Sequence, residues 1–140
     1  MSFFAFTGQY DQKIDPKKRI IIPSCLREDL GEDFVMIPSP DGCIYAYPSE
    51  VWYEKVEEAV QSGTTAEGRR QQSRRCGMAS KVQTDKSGRV TLPQNLFAHA
   101  GLTDNVAIVG VGSRIEIWNP TVYDEYLSVE DETVLPDINY

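Results

Sequence analysis

The strongest constraint on this chain is that it contains one segment twice. Asp15-Pro16-Lys17-Lys18-Arg19-Ile20-Ile21-Ile22-Pro23 and Asp85-Lys86-Ser87-Gly88-Arg89-Val90-Thr91-Leu92-Pro93 share Asp, Arg and Pro at an offset of 70 residues. Leu26 and Gly31 meet Leu96 and Gly101 at the same offset. After one inserted residue the offset becomes 71, and Val35, Ile37, Ile44, Val51 and Glu54 meet Val106, Ile108, Ile115, Val122 and Glu125. Tyr47 then falls on Trp118 and Trp52 on Tyr123. A register kept this long marks an internal duplication, two copies of one supersecondary unit.

Each copy of the segment predicts a tight turn followed by a short strand. The Asp side chain accepts hydrogen bonds from backbone N–H groups just ahead of it and starts the turn. Gly88 supplies the left-handed backbone angle that closes the second turn. Val90 and Leu92 then point to one face of the strand, and Arg89 and Thr91 to the other. Pro93 ends the strand because it has no N–H for the ladder. In the first copy Ile20 and Ile22 are the inward pair. Each arginine is thus held beside a turn, on a wet face, with apolar residues beneath.

The rest of the chain fits this plan. A first strand is expected over Phe6–Ile14, and Ser24 is the expected cap of a short helix Cys25–Leu30. Phe34–Ile37 and Cys43–Tyr47 read as a hairpin around Pro40-Asp41-Gly42. A helix follows from Pro48-Ser49 to about Val60, with Val51, Trp52, Val56, Ala59 and Val60 near helical spacing. Glu67–Arg75 is very polar, and either a solvated helix or a flexible arm fits it, with a helix favoured. The second copy repeats the order, with strands at Met78–Gln83, Val90–Leu92, Val106–Val109 and Arg114–Trp118 and helices at Gln94–Ala100 and Pro120–Leu127. The expected organisation is a first repeat at 6–60, a basic linker at 61–77, a second repeat at 78–127 and an acidic, disordered tail at 128–140. The fold class is α+β, with mixed short strands and short helices.

Charge is distributed unevenly. The chain of 140 residues carries a net charge of −7, which alone argues against nucleic acid. Yet from Val60 to Arg89 seven cations (Arg69, Arg70, Arg74, Arg75, Lys81, Lys86 and Arg89) stand against two acids, Glu67 and Asp85. Lys13, Lys17, Lys18 and Arg19 cluster at the first turn, and Glu130, Asp131, Glu132 and Asp137 lie in the tail. Local distribution, rather than the total, decides which surface attracts an anion. For Arg69, Arg70, Arg74 and Arg75, a solvated helix face and a phosphate-contacting face are equally open. Trp52, Trp118, Tyr47 and Tyr123 are read as core, and His99 as a surface or half-buried residue.

Other chemistries find little here. Cys25, Cys43 and Cys76 form no CxxC pair, and with His99 they make no zinc pattern. Three cysteines cannot all pair within the chain, which suits a reducing, cytoplasmic setting. The start, Met1-Ser2-Phe3-Phe4-Ala5-Phe6, is short and lacks a charged leader, so no signal peptide is expected. No run reaches the ~20 apolar residues of a membrane span. One histidine, no nucleophile elbow and no P-loop give an enzyme no support. Gly110-x-Gly112 is a fragment of a dinucleotide loop without the helix N-terminus that phosphate binding needs. No cofactor, metal, membrane or small-molecule substrate is expected.

Phe6-x-Gly8-x-Tyr10, Asp15-x-x-x-Arg19, Ile22-Pro23 and Leu26-Arg27 form one half of a pattern. Asp85-x-x-Gly88-Arg89, Leu92-Pro93, Ala100-Gly101-Leu102, Gly110-Val111-Gly112 and Ile115-Glu116-Ile117-Trp118 form the other. Over residues 6–127 this resembles the MraZ family, bacterial transcriptional regulators built from two AbrB-like (SpoVT-AbrB) repeats. The resemblance implies swapped hairpins interlocked around a pseudo-twofold axis. It also implies a ring-shaped homo-oligomer, an octamer being one such size, and a nucleoid-associated protein. The expected ligand is double-stranded DNA, in repeats upstream of the division and cell-wall gene cluster. The family's DNA contacts carry over to Arg19 and Arg89, with Asp15, Asp85 and Gly88 shaping the turns. Lys17, Lys18 and Lys86 stand beside those arginines, and Lys13, Arg69, Arg70, Arg74, Arg75 and Lys81 are candidate phosphate contacts. Where the family has Gly before the first arginine, this chain has Lys18, and it adds Pro16. The first turn is therefore expected to close differently from the second and to be stiffer. The competing reading is a non-enzymatic interaction oligomer whose basic turns bind an acidic protein partner.

Overall fold

The structure, a computed structural model, describes residues 5–62 and 65–129. The first repeat runs β1 (Gln9–Lys13), β2 (Arg19–Ile21), α1 (Ser24–Leu30), β3 (Asp33–Pro38), β4 (Ile44–Pro48) and α2 (Ser49–Ser62). Helix α3 (Ala66–Met78) joins it to β5 (Ser80–Gln83), β6 (Arg89–Thr91), α4 (Gln94–His99), β7 (Asn105–Val111), β8 (Arg114–Trp118) and α5 (Pro120–Leu127). Strands and helices are short and every strand pairing is antiparallel. Most of the expected acidic tail, from Glu130 onward, lies outside the described residues.

Six strands form one sheet in the order β1-β7-β8-β4-β3-β5, and β2 pairs with β6 in a separate ribbon. Exchanging each strand for its counterpart in the other repeat reverses that order and leaves it unchanged, which is the expected pseudo-twofold. The axis passes between β4 and β8, where Tyr45 faces Glu116, and between Ile20 and Val90 in the ribbon. The repeats are interlocked. β1 of the first lies on β7 of the second, β5 of the second lies on β3 of the first, and the ribbon takes one strand from each.

Alternation along the strands explains the layers. Phe34, Met36, Ile44, Ala46, Val106, Ile108, Ile115 and Ile117 point to one face of the sheet and pack on Ile20, Ile22, Leu26, Val90, Leu92 and Leu96. The ribbon and helices α1 and α4 therefore cover that face. The residues between them point the other way. Ala107, Val109 and Trp118 meet Val122 and Tyr123 of α5, and Val35, Ile37 and Tyr47 meet Val51 and Trp52 of α2. The aromatic residues read as core are in these contacts, Trp118 being 1% exposed.

On the axis, the buried Glu116 is fully engaged. Arg114 donates to its Oε2 through Nε at 3.0 Å and Nη2 at 2.7 Å, and Trp118 Nε1 donates to Oε1 at 2.9 Å. The Arg114 guanidinium also lies 4.2 Å over the Tyr45 ring. A buried carboxylate persists only when it is paired and hydrogen-bonded in this way.

Several local expectations change. Ser24 is the first residue of α1 rather than its cap; Pro23 holds the cap position and no side chain caps the helix. Proline's fixed φ suits that entry, and α4 begins the same way after Pro93. The first strand shortens to Gln9–Lys13, with Phe6 forming an isolated bridge to Gly112, just past the end of β7. Met78 ends α3 instead of opening a strand. The polar stretch before it is a helix capped by Thr65, whose hydroxyl oxygen accepts from the Gly68 amide at 3.0 Å.

Cysteine environments differ sharply. Cys25 and Cys76 are exposed, whereas Cys43 is buried and its thiol is pushed up to about 12, first by desolvation. A thiolate is the reactive form. In native protein at neutral pH, a thiol reagent should label Cys25 and Cys76 and spare Cys43, read by mass spectrometry of the tryptic peptides. Equal labelling of Cys43 would mean that the β3–β4 turn opens readily.

Candidate nucleic-acid interface

The two turns are built alike. Asp15 Oδ1 accepts from the Lys17 and Arg19 amides at 2.9 and 2.8 Å, and Asp15 Oδ2 accepts from Arg19 Nε at 2.7 Å. Asp85 Oδ1 accepts from the Ser87 and Arg89 amides, both at 2.9 Å, and Asp85 Oδ2 from Arg89 Nε at 2.9 Å. One carboxylate thus shapes the turn and orients the arginine that follows. Among the described residues no acceptor is found for an Nη group of either arginine, so the outer fork of each guanidinium is open.

Lys18 adopts φ 60 and Gly88 φ 80, and their amides donate to the Asp15 and Asp85 carbonyls at 3.0 Å each. The expectation that the first turn closes differently is therefore corrected: it accepts the strain of a left-handed lysine. Tertiary contacts hold that lysine in place. The Lys18 ammonium lies 4.9 Å from the Phe97 ring centroid and donates to Gln94 Oε1, both on α4 of the other repeat. At the second turn, a Cβ on Gly88 would fall 1.4 Å from Arg27 Nη1, on α1 of the other repeat. Each turn is thus roofed by the opposite repeat's helix. The pair is Lys18 with Phe97 in one case and Gly88 with Arg27 in the other.

The ribbon brings the turns together. Arg19 faces Thr91, Ile20 faces Val90 and Ile21 faces Arg89. The Ile22 amide donates to the Gly88 carbonyl at 3.0 Å, and the Leu92 amide to the Lys18 carbonyl at 2.8 Å. Because Ile20 and Val90 point into the core, the outward face is a tile of four side chains. Arg19 and Arg89 occupy one diagonal, at a separation of about 7–8 Å between backbones. Thr91 and Ile21 occupy the other.

Both carboxyls are held below the usual carboxylate range. At Asp15, partial desolvation pushes the value up, but the Arg19 amide, the Arg19 guanidinium and the Lys17 amide together outweigh it. At Asp85 the Arg89 amide is the largest influence, desolvation opposes it, and the Ser87 amide and Arg89 side chain add to it. A value depressed on folding gives stability that is fully present above the unfolded value of about 3.9 and is lost as pH falls through the folded one. In a side-chain carboxyl NMR titration, Asp15 and Asp85 should both show midpoints below that of free aspartate. A midpoint at or above it for either residue would mean that its turn is not held as described.

The remaining basic residues are dispersed. Lys17 and Lys86 are exposed beside the tile, whereas Lys18 is half-buried under its contacts with α4. Lys13 and Lys81 are exposed on β1 and β5, the two edge strands. Arg69, Arg70, Arg74 and Arg75 are exposed along α3. Arg75 lines a cleft with Tyr47 and Trp52, on the side of the sheet away from the ribbon, and Arg74 lies near Pro38 and His99. The structure therefore does not bring Arg74 and Arg75 to the tile. Sequence reasoning missed Arg27 and Ile21. The signal for Arg27 was available, because Arg27/Phe97 and Lys18/Gly88 are mismatches at the same offset as the matched aspartates.

No described helix is long and apolar enough to cross a membrane, and no described cluster of three or more His, Cys, Asp or Glu could hold a metal. A family described as "MraZ protein, putative antitoxin-like" matches residues 5–75 and again 76–134. A protein of Lachnoclostridium phytofermentans named transcriptional regulator MraZ is 43% identical over 114 residues, 81% of each chain. Proteins of the same name from Heliobacterium modesticaldum and Clostridium tetani are 40% identical over 123 residues and 38% over 122. Those alignments cover 86% of this chain and 85% and 86% of the relatives. With its two matched repeats, its duplicated Asp–Arg turns and its interlocked ribbon, this chain belongs to the MraZ family.

Proposed function

We propose that this protein is a non-enzymatic, sequence-specific DNA-binding regulator of transcription that reads the major groove with the β2–β6 tile. The observation that carries this is the diagonal pair Arg19 and Arg89, each gripped at Nε by its own aspartate with the outer fork left open. The major groove admits a two-stranded ribbon, and an arginine fork matches O6 and N7 of guanine. Lys17 and Lys86 flank the tile and suit phosphates, since lysine is a compact point charge. The names of the relatives support the regulatory role.

In this reading, several protomers in a ring engage repeated sites upstream of the chain's own gene cluster, in the cytoplasm at the nucleoid. Single-tile contacts are weak, and simultaneous engagement multiplies them through effective concentration. The test is fluorescence anisotropy with duplexes carrying one, two and three copies of a site selected from a random library, across a salt series. Binding should strengthen steeply with copy number, and log affinity should fall linearly with log salt, with slope about −0.9 per phosphate neutralised. Equal affinity for selected and random duplexes, together with capture of an acidic protein through the same arginines, would favour the interaction-oligomer reading instead.

A further inference from the structure

The fourth corner of the tile breaks its symmetry. Thr91 stands opposite Arg19, but the matching place opposite Arg89 holds Ile21, which is 46% exposed. Ile21 is the only exposed large apolar residue on a strand among the described residues; the others lie on α2, on α5 or just beyond it. Placement carries more weight here than exposure. Directly opposed residues in an antiparallel pair have Cβ atoms about 5 Å apart, so two such side chains can reach adjacent bases, which are stacked about 3.4 Å apart. Ile21 is β-branched and therefore stiff at χ1, and Arg89 beside it is fixed by Asp85. A base edge brought to the Arg89 fork therefore has an immobile methyl surface next to it.

Resting on the DNA-binding reading above, we infer that Ile21 is a specificity-determining residue that packs on the 5-methyl group of a thymine next to the guanine read by Arg89. The major groove shows that methyl only at thymine, and apolar side chains are its natural contact. Thr91 presents a hydroxyl beside its methyl, so the Arg19 half of the tile discriminates less. The two halves of a pseudo-symmetric ribbon thus read different dinucleotides, and the protomer sits on DNA in one orientation.

Deoxyuridine differs from thymidine by that methyl alone. In a duplex selected from a random library, each thymine is replaced in turn by deoxyuridine, and affinity is measured for the wild-type protein and for Ile21→Ser. Wild type should lose about three- to fivefold at one thymine adjacent to an essential guanine, the worth of one buried methyl group. Ile21→Ser should bind the parent duplex more weakly by a similar factor and be indifferent to deoxyuridine there. Its melting temperature, set by a solvent-facing position, should stay near that of wild type. Guanine dependence without deoxyuridine sensitivity anywhere would overturn the assignment to Ile21 and leave the DNA reading standing. A deoxyuridine penalty that persists in Ile21→Ser would overturn it too. Failure to enrich any duplex would remove both.

Discussion

Replacing Arg89 by alanine is expected to weaken binding to a selected duplex by about 1–3 kcal/mol per site and to flatten the preference over random DNA. The reason is geometric. Asp85 holds Arg89 at Nε only, so the fork is oriented before DNA arrives and little rotamer freedom remains to be lost. Asp15 holds Arg19 in the same way, so Arg19→Ala should have a loss of the same order. The double change Lys17→Ala and Lys86→Ala should act differently, weakening selected and random duplexes alike and reducing the salt slope. Anisotropy titrations of all three proteins against selected and random duplexes separate the roles. An Arg89→Ala protein with undiminished discrimination would end the case for the tile.

The second large effect is expected in stability, at Gly110. A Cβ there would lie 2.4 Å from the Thr7 amide nitrogen, 2.7 Å from the Phe6 carbonyl carbon and 2.7 Å from the Thr7 carbonyl oxygen. These are backbone atoms, so no rotamer change relieves the clash. The segment they belong to is tied to β7 on both sides: the Gly110 amide donates to the Gly8 carbonyl at 2.8 Å, and Phe6 and Gly112 exchange bonds of 2.8 and 2.9 Å. Phe6, 2% exposed, is anchored in the core by this arrangement. Gly110→Ala should therefore push the N-terminal segment off the sheet and loosen Phe6, at a cost of about 3 kcal/mol, between overpacking and loss of a buried aromatic. Urea unfolding measures it. Phe6→Ala should cost a similar amount, and the double variant should cost much less than the sum, because both changes release the same segment. A Gly110→Ala midpoint equal to that of wild type would show that the segment is not held against β7.

How far these sites could be read beforehand follows from where their determinants lie. The Asp15 and Asp85 turns are legible because each aspartate and the arginine it orients fall within five residues. The duplication was legible because it is a matter of spacing. Two things were not local. One is the exchange of partners, in which β2 pairs with β6 and the edge strands cross to the other repeat. An alternating pattern fixes which face of a strand is buried but not which strand it joins. The other is the roofing of each turn by the opposite repeat's helix. Lys18 looked like a misfit in a turn that prefers glycine, and it became intelligible only with Phe97 and Gln94 beside it. Similarly, the need for glycine at 88 is set by Arg27 as well as by the turn's own angle. Gly110, a fragment of a nucleotide-loop motif by spacing, serves as a passage for the backbone of the segment before β1.

The pairing of Ile20 with Val90 joins positions 70 residues apart in sequence. Contacts of such separation form late, since loop closure must precede any gain from them. Timing during synthesis follows. A ribosome that has released α1 and the first sheet hairpin has made Arg19 but not the neighbour it works beside. Until β6 emerges and closes on β2, a nascent chain carries half of the proposed tile, and the Lys18 carbonyl has no Leu92 amide to accept from. On the DNA-binding reading proposed above, the growing protein is therefore expected to stay silent toward DNA until its second repeat has been delivered and locked onto its first.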